Sequence, residues 1–123
     1  MRQISTVLLL AALGTGIASA PEAAEAFRQL KSPEIKARFE GMEFTDEVHW
    51  AYVFERSGRL ASFSMSKKSA GKWRVGKDEL CLDRERTGQR CYQVWASGKS
   101  IQLREAGNDI TEDGILQKPS ARK

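Results

Sequence analysis

From Met42 to Gln117 apolar and polar residues alternate with a period of two, and turn-forming residues recur roughly every eight to twelve positions, the pattern of short antiparallel strands. Because a one-residue slip reverses every side chain, hairpin registers can be tested by asking whether they keep apolar residues on one face. A turn at Ser57-Gly58 predicts Phe54 opposite Ala61, Tyr52 opposite Phe63 and Trp50 opposite Met65. A loop over Ser66 to Ala70 then sets Phe63 opposite Trp73 and Ala61 opposite Val75. A turn at Lys77-Asp78 places Val75 opposite Leu80 and Trp73 opposite Leu82; Cys81 facing Cys91 places Leu80 opposite Tyr92. A turn at Ser97-Gly98 sets Val94 opposite Ile101 and Tyr92 opposite Leu103. These registers agree on one apolar face, and short strands near Ile110-Thr111 and Ile115 to Gln117 extend the series.

The expected fold is therefore mainly β: an antiparallel up-and-down meander of six to eight strands, curled toward a small barrel and preceded by a short N-terminal helix. Curling removes the two unpaired edges that an open meander would expose. The helix is read from Ser32 as cap, Pro33 in the first turn, Glu34 at the positive end of the dipole and Gly41 as the stop. Ile35 and Phe39 share one of its faces.

Upstream the pattern changes. Met1 to Ala20 carries Arg2, an apolar run from Val7 to Leu13 and then small residues, which reads as a secretory signal peptide too short to span a bilayer. Two small-residue boxes, Gly16-Ile17-Ala18 and Ala18-Ser19-Ala20, compete for cleavage; Pro21 would follow the second, which favours cutting after Ala18. The expected organisation is a leader over 1–18, a flexible or helical arm over 19–31, a β-meander domain over 32–118 and a disordered tail over 119–123.

Composition adds bounds. With 123 residues, 41% hydrophobic and 29% charged, the chain is a single small domain and neither a multidomain enzyme nor a disordered chain. Its net charge is +4, and removing Arg2 with the leader makes it +3. Export to the periplasm or medium turns the two cysteines, Cys81 and Cys91, into an expected disulfide; a redox pair would show C-x-x-C spacing.

The segments Phe54-Glu55-Arg56-Ser57-Gly58, Gly71-Lys72-Trp73-Arg74-Val75, Asp78-Glu79-Leu80-Cys81-Leu82 and Cys91-Tyr92-Gln93-Val94 resemble small exported bacterial proteins of unknown function. Those proteins join a G-x-W strand to a two-cysteine hairpin. The resemblance covers roughly residues 32 to 118, most specifically Gly71 to Cys91. It implies an envelope location and a lipocalin-like β-meander, and it brings no assigned reaction.

Catalytic and metal chemistry find little support. His49 is the single histidine and reads as a surface strand residue, so no metal site is expected. Met42 and Met65 suggest copper less than packing, since Met65 falls on the apolar face. Asp109 to Gly114 has the alternating oxygens of a calcium loop but Ser120 where the bidentate Glu belongs, and reads as an acidic turn. Ser64 to Lys67 matches S-x-x-K without its helix or partner motifs, and no G-x-S-x-G or nucleotide loop is present. No cofactor and no catalytic residue are assigned.

Two surfaces remain. Trp50, Tyr52, Phe63, Trp73 and Tyr92 are expected to share the inner face, where they either fill the barrel or line a lumen for a flat or apolar ligand. Lys67, Lys68, Lys72 and Arg74 form a basic stretch suited to an acidic partner or anionic envelope polymer, and Trp95, outward with Val53 and Leu60, offers an apolar contact spot. The expected function is a non-enzymatic exported binding module for an envelope protein, an anionic polymer or a small ligand. It is expected to bind no nucleic acid, span no membrane, and exist as a monomer or weak oligomer. The alternative is a small envelope enzyme of hydrolase type using carboxylates on the barrel rim.

Overall fold

The computed structural model describes Gly14 and residues 26–85 and 87–120. Apart from Gly14, the leader and both cleavage boxes lie outside the described residues, as do residues 121–123 of the tail.

The elements run β1 (Arg28–Gln29), α1 (Ser32–Phe39), β2 (Glu43–Thr45), β3 (Trp50–Phe54), β4 (Arg59–Ser64), β5 (Lys67–Gly76), β6 (Glu79–Arg84), β7 (Gly88–Ser97), β8 (Ser100–Arg104) and β9 (Thr111–Gln117). Each strand from β2 to β9 pairs antiparallel with its sequence neighbour, and β9 pairs back on β2, closing an eight-stranded meander barrel. The curled form of the expected meander is the one adopted. The segment expected as an arm contributes β1, which lies on β7 with Arg28 opposite Ala96 and Gln29 opposite Trp95. Its continuation, Leu30, donates to the Val94 carbonyl at 2.8 Å and is fully buried.

Three registers differ from expectation, each because of its turn. Between β3 and β4 the Glu55 carbonyl accepts from the Gly58 N–H, and Gly58 takes φ +93, giving a three-residue loop. Phe54 therefore faces Leu60, Tyr52 faces Ser62 and Trp50 faces Ser64. The one-residue change turns β4 over: Leu60, expected outside, is fully buried, Phe63 lies on the outer wall, and Met65 is 73% exposed. Between β4 and β5 the expected loop is a two-residue turn, Met65-Ser66, with both φ positive, so β5 starts at Lys67 and Phe63 faces Lys68. The β7–β8 turn is Gly98-Lys99, so Val94 faces Leu103 and Ala96 faces Ile101; a shift of two preserves the face.

The β5–β6 turn at Lys77-Asp78 and the β6–β7 pairing follow the expected register, with Trp73 opposite Leu82, Leu80 opposite Tyr92 and Cys81 opposite Cys91. The two cysteines form a disulfide, and Arg74, the β5 partner of Cys81, shares their outward face.

The bore is packed with Phe44, Phe54, Leu60, Leu82, Val94 and Leu103, all fully buried. At one end α1 lies against β5 and β6 and inserts Ile35 and Phe39, with the Phe39 ring edge-on to Phe54 at 5.1 Å. Ser32 is occupied differently from its expected capping role: its hydroxyl accepts from the Asp78 N–H, tying the helix to the β5–β6 turn. The meander places the β2–β3 loop, the β4–β5 and β6–β7 turns and the β8–β9 connection at the opposite, open end.

Candidate functional site

At the open end, residues 46–49 form a tied loop. Asp46 Oδ1 accepts from the N–H groups of Val48, His49 and Trp50 at 3.0, 2.7 and 3.0 Å, and Oδ2 meets His49 Nδ1 at 2.9 Å. Thr45 Oγ1 accepts from the Glu47 N–H and donates to the Trp50 carbonyl. Desolvation pushes the Asp46 carboxyl up, but these donors outweigh it and hold the carboxyl below its ordinary range.

Between this loop and the β4–β5 turn lies a cleft of about 710 Å³. Trp50 and Phe63 line it together with Lys67 and Lys68, and Val48 and Met65, 78% and 73% exposed, stand beside them. The Lys68 ammonium sits 5.7 Å from the centre of the Phe63 ring, on the same outer face. From there a cationic stripe descends the outer wall, because alternation puts Lys68, Lys72 and Arg74 of β5 on one face and the register adds Arg59 of β4 opposite Lys72. All four are exposed; Arg59 is ion-paired with Glu55 at 3.6 Å, and Asp83 of β6 lies on the other side of Lys72.

The structure divides the five residues expected to share a lumen. Trp73 is a packing residue, 8% exposed, with Nε1 donating to the Glu55 carbonyl at 2.8 Å and its ring edge-on to Phe54. Phe63 is outside. Trp50, Tyr52 and Tyr92 remain at the mouth, with Trp50 half-buried against Phe44 and Tyr52 at 4.9 and 5.2 Å. Trp95 is outward but half-buried, covered by the Arg104 guanidinium at 4.1 Å, and it lies two strands around the barrel from the basic stripe.

Sequence reasoning missed Arg84 and Glu112. Arg84 crosses the mouth, with Nη1 donating to the Tyr52 hydroxyl at 2.6 Å and Nη2 to the Tyr92 hydroxyl at 2.7 Å; Glu112 Oε1 lies 3.6 Å from Nη1. Burial pushes both tyrosines up. For Arg84, burial acts downward, and the surrounding Tyr52 and Glu112 oxygens outweigh it and push its pKa up. A signal was present: Leu80, Leu82 and Arg84 continue one alternation, so an arginine falls on the inward face.

The segment resembling a calcium loop enters strand β9: Thr111 Oγ1 donates to Asp113 Oδ1, and Gly114 lies where β9 meets β2. Ser64 and Lys67 face each other across a hairpin turn, a setting unlike the helix start that S-x-x-K chemistry uses. Among the described residues no group of three or more His, Cys, Asp or Glu is placed to hold a metal, and no helix is long and apolar enough to cross a membrane. Compared with known proteins, the chain matches no family model, no curated protein and no solved structure.

Proposed function

We propose that the protein is an exported, non-enzymatic binding module that holds an anionic polymer against the outer face of β4 and β5. The observation that carries this reading is the exposed stripe of Lys68, Lys72 and Arg74, running from the rim cleft along about 20 Å of β5, with the Glu55-paired Arg59 beside it. Like charges aligned on a rigid wall repel one another and raise the local potential, and an extended polyanion relieves that repulsion along its length. Lys67 adds a charge at the rim, while Val48, Phe63 and Met65 offer apolar contact beside it. The leader pattern of Met1 to Ala18 and the Cys81–Cys91 bridge support a periplasmic or secreted setting for this module.

Retention on a dextran sulfate column tests the reading. The triple variant Lys68→Glu, Lys72→Glu, Arg74→Glu should elute at a much lower salt concentration than the native protein. A control with the same charge change at exposed positions off the stripe, Lys31→Glu, Lys36→Glu, Lys99→Glu, should elute close to native. Equal losses in the two triples would reduce the effect to net charge and overturn the proposal.

A further inference from the structure

The mouth of the bore carries a second set of polar groups that the outer stripe does not use. Arg84 is flanked in register by Gly71 on β5 and Gly88 on β7, so no side chain stands beside it on the inner face. Its guanidinium reaches across to Tyr52 and Tyr92, which accept its hydrogen bonds and keep their own protons available for donation. Burial pushes both phenols up, which preserves them as donors.

Two buried atoms in this cluster have no hydrogen-bond partner among the described residues: Arg84 Nε, a donor, and Glu112 Oε2, an acceptor. The Arg84 and Glu112 side chains are 17% and 33% exposed, so the cluster borders solvent at the open end. The Trp50 ring, 5.2 Å from that of Tyr52, forms an apolar wall next to it.

We propose that this mouth is a binding site for the carboxamide group of a small neutral ligand. A buried donor left unpaired and a buried acceptor left unpaired each cost free energy, and a group supplying both complements offsets both costs. A carboxamide does so: its carbonyl accepts from Arg84 Nε–H or a tyrosine hydroxyl, and its N–H donates to Glu112. A carboxylate offers no proton to Glu112 and meets its negative charge, which already partly neutralises Arg84. An ester accepts but cannot donate. Selection therefore rests on hydrogen-bond sense, where one unmatched buried group discriminates strongly.

The test uses the full disulfide-bonded protein titrated separately with hexanamide, hexanoate and methyl hexanoate. The readouts are the Arg84 Nε–H and Trp50 indole N–H resonances. Hexanamide should shift both saturably, with at least about tenfold tighter binding than the other two probes. Glu112→Gln, which removes the opposing charge, should reverse the order and favour hexanoate, while its melting temperature shows that the fold is retained. A structural lock would show no such reversal. The proposal is overturned if no probe saturates these resonances, if hexanoate or the ester binds the native protein as well as hexanamide, or if a folded Glu112→Gln protein keeps the native preference.

Discussion

Ser32 and Asp78, 46 positions apart, exchange two hydrogen bonds: the Ser32 N–H donates to Asp78 Oδ1 at 2.8 Å, and the Asp78 N–H donates to Ser32 Oγ at 2.7 Å. This reciprocal pair fixes the start of α1 on the β5–β6 turn and so sets where Ile35 and Phe39 enter the end of the bore. Ser32→Ala removes one of the two bonds in an exposed position. It should lower the unfolding free energy by about 1 kcal/mol, read as a shift in urea midpoint at unchanged slope. Asp78→Ala should cost more, because it also places alanine at φ +58.

The orientation of β4 is open to a direct mutational check. Leu60 is fully buried opposite Phe54, whereas Met65 is 73% exposed in a turn. Leu60→Ala should destabilise by about 2–5 kcal/mol through lost burial and a cavity, and Met65→Ala by less than about 0.5 kcal/mol. The register with Phe54 opposite Ala61 predicts the reverse ranking, so chemical denaturation of the two variants separates the alternatives.

What was legible in the chain was the part governed by local turn chemistry. Lys77-Asp78 and the cysteine pair pin β5, β6 and β7 without ambiguity, because a two-residue turn and a bridge between facing positions each specify the register. Arg56-Ser57-Gly58 admits either a two- or a three-residue loop, and the choice reverses β4, so Phe63 and Leu60 exchanged faces. Ser66 to Ala70, rich in small and basic residues, looks like a loop; from Lys67 it becomes strand because β4 offers it a ladder. The basic stripe survives that change, since Lys68, Lys72 and Arg74 keep their common parity. The Arg84 cluster stayed hidden because Tyr52, Tyr92 and Glu112 come from strands far apart in sequence, and barrel closure alone brings them together.

The 46–49 loop should loosen in acid. Asp46 has a folded-state pKa below its ordinary value of 3.8, because backbone donors favour the carboxylate over the desolvation that opposes it. Its contribution to loop stability is therefore complete above about pH 4 and is lost as the pH falls through the lowered value. The amide resonances of Val48, His49 and Trp50, which share Asp46 Oδ1 as acceptor, should move together below about pH 4 as that carboxylate gains a proton. In Asp46→Ala those three amides should already be displaced at neutral pH and show no common acid transition.

Cys81 and Cys91 close a short loop, and reducing their bond returns conformational freedom to the unfolded chain. The chain-entropy model gives a loss of about 3 kcal/mol, which a denaturant titration with and without reductant measures. The intact mass should rise by two hydrogens on reduction. Free thiols in protein isolated without reductant would contradict the bridge.

Closure of the barrel rests on a short ladder, the three residue pairs between β2 and β9. Gly114 sits beside that seam, where a Cβ would come within 2.6 Å of the Thr45 carbonyl oxygen and 3.1 Å of Phe44 Cε1. The first of these neighbours is backbone, so Gly114→Ala must separate the two strands or bend one of them. Gly76, at the end of β5, has ordinary φ, and a Cβ there would meet nothing closer than the flexible Arg74 guanidinium at 3.9 Å. Gly76→Ala should thus be neutral or slightly stabilising, because alanine restricts the unfolded chain. Gly114→Ala should cost about 1–3 kcal/mol, the range for overpacking a tight site. The loss should also be localised: hydrogen exchange at β2 and β9 amides should accelerate more than at those of the disulfide-bridged β6–β7 hairpin. Uniform acceleration would show that the seam is no weaker than the rest of the barrel, and equal stability of the two variants would refute the close approach itself.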